Sequence, residues 1–465
     1  MLSSHPARMA RLWPLVLALS LALAGTLAQA GEVVLFTFPN EVVVDLPAAG
    51  VQAARKVDEV WRVTGVPSGE HALRVEADGV THVVQVVVRD GASSRVAVNL
   101  LLTPPQAWTD APGPTGNDVL ALAAGAEASY AVLADGSLWA WGRNQRGQFG
   151  DGSDTGARSP GLVASIDRVR AVAAGHAHLL VLRDDGSVWA TGWNRYGQLG
   201  DGTTDDRATF VAVDGLAQVH AITTGPSFSM ALTSDGRVYA WGTNDNGQLG
   251  DGTRTNRAAP VLAFEGASAI AAGERFALAL AHDGSVWAWG SNTFGQLGDG
   301  TNVERREAGR VLDVENVVAI AAGHEHVLAV RSDGSVWAWG RNTDGKLGDG
   351  TTENRARPVP VTALSDVRDV AAGLTHAFAL GRDGSVWAWG GNASGQLGDG
   401  TLQARSTPAQ VAMLPAIEQL ASGSNHVLAL ARDGSVWAWG ANQYGRLGDG
   451  TTSIRREPVE VSLAP

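Results

Sequence analysis

The stretch WGSNTFGQLGDGT, from Trp289 to Thr301, combines residue types that can bind metals or phosphate groups. Its Asp and Asn side chains offer oxygen ligands, and its four glycines could bring backbone N–H groups close to an anion. The residue types alone leave three structures open, which are a metal-binding loop, a phosphate cradle and a structural turn. The string occurs seven times along the chain, so one explanation must hold for every copy.

Every copy keeps one Gly-Asp-Gly, and an Arg follows the Asp by six residues in six copies and by seven in the first. Calcium takes six to eight oxygen ligands, usually several of them carboxylates, whereas each copy supplies one Asp with an Arg nearby. A phosphate cradle needs a helix start and usually a Lys, and neither is present. The pattern therefore predicts a turn held by an Asp–Arg ion pair, with no metal and no cofactor. The Asp residues are Asp151, Asp201, Asp251, Asp299, Asp349, Asp399 and Asp449, and the Arg residues are Arg158, Arg207, Arg257, Arg305, Arg355, Arg405 and Arg455.

Tryptophan and histidine also recur at fixed places in the units. In SVWAWG the two rings project from one face of a strand, which predicts core packing, with a carbohydrate-stacking platform as the alternative. The inner position holds Trp in six units and Thr191 in the second. One other position holds His in four units and Ala or Phe in three, an exchange that favours a buried packing site over a metal ligand. These residues are His178, His326, His376, His426, Ala128, Phe228 and Phe276.

The elements that carry these residues follow from the repeat. Asp-Gly stands between two β-prone runs in each unit, which indicates a hairpin, and four short strands in about 50 residues are typical of a propeller blade. Seven units predict an all-β, seven-bladed β-propeller over residues 119–465. The run Pro458 to Val461 follows the last unit, so we expect the C-terminal strand to complete the blade that begins at Val119 and thereby close the ring.

The pattern GxxHxLAL, DGSVWAWGxNxxGQLGDGT and PxxV, repeated from Val119 onward, resembles the RCC1 (regulator of chromosome condensation) repeat. The resemblance implies the same seven-bladed propeller. The eukaryotic founder of that family exchanges nucleotide on a small GTPase through an extra β-wedge, and no inserted segment separates the units here, so that activity is not carried over. Similarity to a secreted bacterial propeller that inhibits β-lactamase implies protein binding without catalysis.

The N-terminal part carries no repeat. Residues 1–30 read as a signal peptide, with Arg8 and Arg11, a Leu/Ala-rich run and the cleavage signal Ala28-Gln29-Ala30, although an uncleaved anchor is the alternative. A signal peptide cleaved after Ala30 would direct the chain to the periplasm, the cell surface or the medium. Residues 31–102 predict a small all-β, sandwich-like domain that resembles PEGA-type modules, and residues 103–118 predict a Pro-rich linker. No later stretch reaches transmembrane length.

The composition narrows the choice of partners. The 465-residue chain has a formal net charge of −12, which disfavours nucleic acid and anionic lipid. It has no cysteine, so disulfides and thiolate chemistry are excluded.

The loop between WG and GQLG keeps its Asn but otherwise varies from unit to unit, so a working surface is expected there. The candidate binding residues are Trp193, Tyr196, Phe294, Tyr444, Arg146 and Arg195. Aromatic residues and Arg are enriched in binding hot spots. The alternatives are that these are ordinary loop residues, or that Trp193 fills the space left by Thr191. Asp205 and Asp206 are the only acidic doublet in a variable loop, and no catalytic residue is predicted from them.

The sequence thus favours an exported, monomeric, non-enzymatic scaffold that binds a protein partner. The alternative is a carbohydrate-binding or hydrolytic/lyase propeller with a site in the central channel. Opposed carboxylates in the channel would favour an enzyme, and an aromatic cluster on one face would favour a binding protein.

Overall fold

The computed structural model describes six N-terminal strands by their backbone, and residues 118–463 with their side chains. The expected signal peptide and its cleavage site lie outside the described residues, as does the linker except for Asp118. The chain divides into two compact units, Met1–Gly113 and Pro114–Pro465. Within the described residues, no helix has the length and apolarity that a bilayer crossing needs.

The N-terminal unit contains one mixed sheet and one hairpin. The sheet has the order β2-β3-β1-β6 with β1 and β6 parallel, and β4 pairs with β5 in an antiparallel hairpin. The β-branched runs at β1, β4, β5 and β6 form strands as predicted. The strands are β1 (Gly31–Phe38), β2 (Arg55–Val57), β3 (Val60–Val66), β4 (Gly69–Ala77), β5 (Val80–Val88) and β6 (Ser93–Asn99).

The second unit is a seven-bladed β-propeller, which confirms the predicted fold. Each blade is an antiparallel sheet of four strands that are consecutive in the chain. The blades are, in order, β7 (Val119–Ala124), β8 (Ala128–Leu133), β9 (Leu138–Gly142), β10 (Ala157–Leu162); β11 (Val169–Ala174), β12 (His178–Arg183), β13 (Val188–Gly192), β14 (Arg207–Ala212); β15 (Val219–Thr224), β16 (Phe228–Thr233), β17 (Arg237–Gly242), β18 (Arg257–Glu265); β19 (Ala267–Ala272), β20 (Phe276–Ala281), β21 (Val286–Gly290), β22 (Arg305–Arg310); β23 (Val317–Ala322), β24 (His326–Arg331), β25 (Val336–Gly340), β26 (Arg355–Pro360); β27 (Val367–Ala372), β28 (His376–Gly381), β29 (Val386–Gly390), β30 (Arg405–Gln410); β31 (Ile417–Ser422), β32 (His426–Ala431), β33 (Val436–Gly440) and β34 (Arg455–Val461).

The predicted Asp-Gly hairpin joins the second and third strands of each blade. In the first blade Gly136 has φ 80°, a conformation that glycine adopts without steric cost, and the Asp135 carboxylate accepts the N–H of Ser137 at 2.8 Å. The connection from first to second strand and the connection from third to fourth strand lie together at the other end of the blade. The register shows this, because His178 at the start of β12 pairs with Gly192 at the end of β13.

The prediction that the C-terminal strand completes the blade beginning at Val119 is wrong. The C-terminal strand β34 pairs with its own neighbour β33, with Glu460 opposite Trp437, while β10 completes the first blade by pairing with β9. The Pro-x-x-Val strand follows the Gly-Asp-Gly turn of its own unit and folds back onto the preceding strand, so no blade is left incomplete. The ring is instead closed by packing of whole blades, and Val461 of β34 shares a core cluster with Trp141 and Leu122 of the first blade.

The core lies between consecutive blades. Six inner tryptophans are fully buried there, which confirms their packing role. Each ring removes about 150–250 Å² from water, or about 4–6 kcal/mol at about 25 cal/mol per Å² as an upper estimate. The six are Trp141, Trp241, Trp289, Trp339, Trp389 and Trp439.

Two sets of hydrogen bonds link each blade to the next. The N–H of the last glycine in Gly-Asp-Gly donates to a main-chain carbonyl in the fourth strand of the following blade at all seven junctions, including Gly450 to Arg158 at 3.0 Å across the seam. The inner Trp Nε1 donates to a main-chain carbonyl of the preceding blade at six junctions, with distances of 2.9–3.0 Å. Because the seam carries both bonds, the ring closes as regularly as any other junction.

Candidate binding face

The turns between first and second strands meet the loops after the third strands on one side of the ring, which we call the loop face. The turns surround the mouth of the central channel, where a cavity of about 500 Å³ is lined by equivalent residues of all seven blades. Turn N–H groups donate to the next blade at six junctions. The third junction is the exception, because Pro226 occupies that position and has no N–H.

The recurring Asn explains why the string is a turn. In every blade the Asn side-chain oxygen accepts the N–H of the residue five positions later, and its Nδ2 donates to the Asp of Gly-Asp-Gly. In the fourth blade, Asn292 accepts from Leu297 at 2.9 Å and donates to Asp299 at 3.2 Å. The Asp oxygens also accept from Thr and Arg, as Asp299 does from Thr301 and Arg305. The carboxylate is therefore already surrounded by donors.

The predicted Asp–Arg pair is present in six blades, with distances from 2.6 Å for Arg455–Asp449 to 3.4 Å for Arg405–Asp399. Burial alone would raise the pKa of Asp251, but hydrogen bonds from Thr253, Arg257 and Asn244 outweigh it and lower the pKa. In the first blade Asp151 bonds to Asn144 and Ser153 instead of Arg158.

The four repeated histidines are buried, as the exchange with Phe indicated. His178 Nε2 contacts Ser229 Oγ at 3.1 Å and His426 Nε2 contacts Ser129 Oγ at 2.9 Å, each across a blade junction. Burial lowers the pKa of His178 to about 3, so its ring is neutral at neutral pH. These contacts support a structural role.

Tyr444 and Phe294 occupy the same loop position in the seventh and fourth blades and make the same contact. The guanidinium carbon of Arg143, in the first blade, lies 4.8 Å from the centre of the Tyr444 ring. The equivalent carbon of Arg341, in the fifth blade, lies 4.7 Å from the Phe294 ring. Stacking of Arg on an aromatic face stabilises such contacts by about 0.5–1 kcal/mol at exposed sites.

Trp193 lines the channel mouth and packs edge-to-face on Tyr196, with ring centres 5.4 Å apart. Arg195 lies 5.9 Å from the Tyr196 ring. Trp193 does not refill the space left by Thr191. Phe210 does so, because its ring lies against Gly150 where the other blades place the inner Trp, and Phe210 stands where five units have Pro and one has Ala.

Arg146 forms an ion pair with Asp206 of the second blade at 3.3 Å. Asp206 also accepts the main-chain N–H of Asn194 at 2.8 Å, a role that Asn256 and Asn354 have in other blades, so the acidic doublet includes a structural loop residue. Five of the six candidates thus lie on the adjacent seventh, first and second blades, and Phe294 lies apart. We call Tyr444, Arg143, Arg146, Trp193, Arg195 and Tyr196 the aromatic–arginine patch.

Two cations alter this face in a way that the sequence analysis missed. In five blades the Gln of GQLG or GQFG accepts the N–H two residues before it, as Gln296 does from Phe294 at 2.9 Å. Lys346 and Arg446 stand at this position in the fifth and seventh blades and cannot accept. In these two blades the loop residue two positions earlier, Asp344 or Tyr444, takes a positive φ of 67°, and Tyr444 is 43% exposed. The change from GQLG to GKLG in the fifth unit and to GRLG in the seventh was the sequence signal for this different loop conformation.

A second group that the sequence analysis missed lies at the junction of the fourth and fifth blades. His324 Nδ1 is 3.1 Å from a Glu274 oxygen and 4.0 Å from a Glu325 oxygen, beside a cavity of about 230 Å³. Burial alone would raise the pKa of Glu325, but hydrogen bonds from His324 and Arg341 outweigh it and hold the pKa at about 2. Each unit alone shows no cluster, because the group forms only when consecutive turns become neighbours.

The channel mouth does not show an opposed pair of carboxylates. Among the described residues that line it, Glu274 is the one carboxylate. Hydrolysis by two carboxylates needs a second one across the substrate.

The fold and its repeated contacts define a seven-bladed propeller built from equivalent structural units. An RCC1-like domain model matches residues 265–465, an RCC1 repeat model matches 135–182, 185–232 and 235–280, and a second RCC1 repeat model matches 119–148, 169–198 and 219–248. Together these matches span the propeller, and the chain belongs to the RCC1 repeat family.

Solved structures show the same architecture. Human WBSCR16 is similar at 24% identity and a TM-score of 0.63, covering 71% of this chain and 94% of its own. Prp20p from Saccharomyces cerevisiae, described with binding properties to Gsp1p and histones, is similar at 23% identity and a TM-score of 0.63, covering 75% and 88%. Yeast RCC1 (Prp20) bound to Kap60 gives 22% identity, a TM-score of 0.64 and coverage of 77% and 89%. No curated protein sequence matches the chain significantly.

Proposed function

We propose that this chain is an exported, non-enzymatic scaffold that binds a protein partner through the aromatic–arginine patch. The observation that carries the proposal is the placement of five predicted binding residues on three adjacent blades of one face. Rigid aromatic rings and Arg supply contact area with little loss of side-chain entropy, which is the composition of hot spots.

The surrounding structure supports this choice. The repeated Asn, Asp and Gly positions hold the loops in one conformation, so little ordering cost is expected on binding. One structural relative also binds proteins, since the structures of yeast Prp20 are described with Gsp1p, histones and Kap60. Export rests on the N-terminal sequence, and it favours a partner outside the cytoplasm.

The test compares partner capture by the full chain and by matched variants. Trp193→Ala and Tyr196→Ala remove patch residues, while Phe294→Ala removes an aromatic residue from the equivalent loop position of a distant blade. With a partner purified from the exported proteins of the source cell, we expect each patch variant to weaken binding by about tenfold or more, equivalent to about 1.4 kcal/mol, and Phe294→Ala to change it little. Unchanged binding in both patch variants would remove the patch from the interface.

The position of Trp193 also favours a second candidate, a carbohydrate ligand at the channel mouth. Its ring borders the 500 Å³ cavity and could stack on a sugar. Binding of soluble oligosaccharides that is lost in Trp193→Ala, without any protein partner, would favour this function.

A further inference from the structure

We propose that Glu274, His324 and Glu325 form a binding site for one divalent transition-metal ion, with Zn²⁺ as the best-matched ion. The three side chains come from the equivalent turns of two consecutive blades, where the N–H of Glu274 donates to the carbonyl of His324 at 2.9 Å. One imidazole and two carboxylates form a donor set that suits zinc better than calcium. The site departs from the sequence-based expectation of no metal, and it goes beyond the proposed function.

The geometry fits an ion of this size. Zinc binds His nitrogen and carboxylate oxygen at about 2.0–2.2 Å, so two ligands on a tetrahedral ion lie about 3.3 Å apart. The His324 Nδ1 distances to the two carboxylates, 3.1 and 4.0 Å, lie on either side of that value, and all three donor atoms lie within 4.8 Å of one another. Small rotations of the Glu side chains would place all three around one ion.

The surroundings also suit a metal centre. The three side chains are only 16–32% exposed, and the adjacent cavity of about 230 Å³ leaves room for water ligands at open coordination positions. Arg341 donates at 2.6 Å to the same Glu325 oxygen that lies 4.0 Å from His324 Nδ1. Arg275 lies 3.5 Å from the Glu274 oxygen that does not contact His324. Arg275 therefore orients the Glu274 carboxylate from outside and leaves the oxygen that faces His324 for the ion.

Arg341 competes with the ion for the Glu325 carboxylate, so its removal should strengthen metal binding. A misfolded variant would not bind the metal more tightly. The full chain, without a histidine tag, is stripped with chelator and titrated with Zn²⁺ by calorimetry. We expect one bound ion per chain. Glu274→Gln, His324→Ala and Glu325→Gln should each weaken binding at least tenfold, whereas Arg341→Gln should tighten it because Glu325 loses its competing cation.

Two matched controls separate this site from other surface groups. His176 holds the position of His324 in the second blade and Glu127 holds that of Glu325 in the first, where Glu127 pairs with Arg143. His176→Ala and Glu127→Gln should leave Zn²⁺ affinity unchanged. The ¹⁵N resonances of His324 should shift on titration, with the remaining histidines unaffected. No stoichiometric binding, equal loss in the controls, or affinity indifferent to the three substitutions would overturn the proposal and leave a hydrogen-bonded cluster only.

Discussion

The indole N–H of Trp141 donates to the main-chain carbonyl of Arg446 at 2.9 Å, although the two residues are 305 positions apart. Arg446 also reaches across with its guanidinium to the carbonyl of Ala126 at 2.7 Å, and Ser129 contacts His426 in the same junction. These contacts join the last blade to the first. The Trp bond recurs at five other junctions, where no chain end is involved, and the Ser–His contact recurs between Ser229 and His178.

If the seam is an ordinary junction, equivalent substitutions on either side of the ring must cost the same. Trp141→Phe removes the N–H donor and leaves a small void, so we expect a loss of about 1–3 kcal/mol in the free energy of unfolding. Trp289→Phe, at an internal junction with the same 2.9 Å bond, is the control. Urea unfolding should give values within about 0.5 kcal/mol of each other. A much smaller loss for Trp141→Phe would indicate an open seam.

The second blade tests whether Phe210 replaces the missing inner Trp. Thr191→Trp places a second large ring in space that Phe210 already fills, so we expect destabilisation of about 1–3 kcal/mol. Adding Phe210→Pro, the residue found in most units, should recover at least about 1 kcal/mol. Thr191→Val measures the cost of losing the Thr191 hydrogen bonds to Gly147 and Arg207 alone. Additive effects of the two substitutions would show that the residues do not share one space.

His326 predicts a stabilising substitution. Its two ring nitrogens have no hydrogen-bond partner among the described residues, because the next blade has Ala377 where His178 and His426 find Ser229 and Ser129. Ala377→Ser should supply that partner and raise the free energy of unfolding by about 0.5–1.5 kcal/mol. Ala277→Ser, which faces Phe228 at the equivalent junction, should give no gain. Equal effects of the two changes in thermal or urea unfolding would contradict this account.

The buried histidines predict how stability depends on pH. Burial lowers the pKa of His178 and of His376 to about 3, and lowers those of His326 and His426 well below the usual value. The unfolded chain therefore binds protons first as the pH falls below about 6.5, and stability declines from there toward pH 3, by up to about 1.4 kcal/mol per pH unit for each His.

The test for this dependence uses a residue that other blades already carry. His178→Phe, as in Phe228 and Phe276, should flatten the slope between pH 6.5 and 5 by up to about 1.4 kcal/mol per unit in urea unfolding, since one titrating group is removed. Ser229 keeps its hydrogen bond to the carbonyl of Gln198 at 2.8 Å in that variant. A slope unchanged by the substitution would mean that His178 is protonated in the folded state.

Comparison of the units with one another predicted most of the fold. The Asp-Gly hairpins, the buried inner Trp residues and the Asp–Arg pairs follow from what every unit keeps, because each repeats a local contact. The pairing of the C-terminal strand was predicted wrongly. The spacing of the repeats does not distinguish pairing of Pro458 to Val461 with the strand before it from pairing with a distant strand. The Phe210 replacement and the Glu274–His324–Glu325 group also depend on contacts between neighbouring blades, which single units do not display.

Closure of the ring is tested most directly by linking its two ends chemically. The chain has no cysteine, so Tyr444→Cys with Arg143→Cys introduces the only thiol pair, across the seam. Phe294→Cys with Arg341→Cys places the same contact within the ring and serves as the control. A short bifunctional thiol reagent, followed by mass spectrometry of the digested chain, should link both pairs within one molecule to the same extent. Efficient linkage of the control with none across the seam would contradict the closed seven-bladed ring.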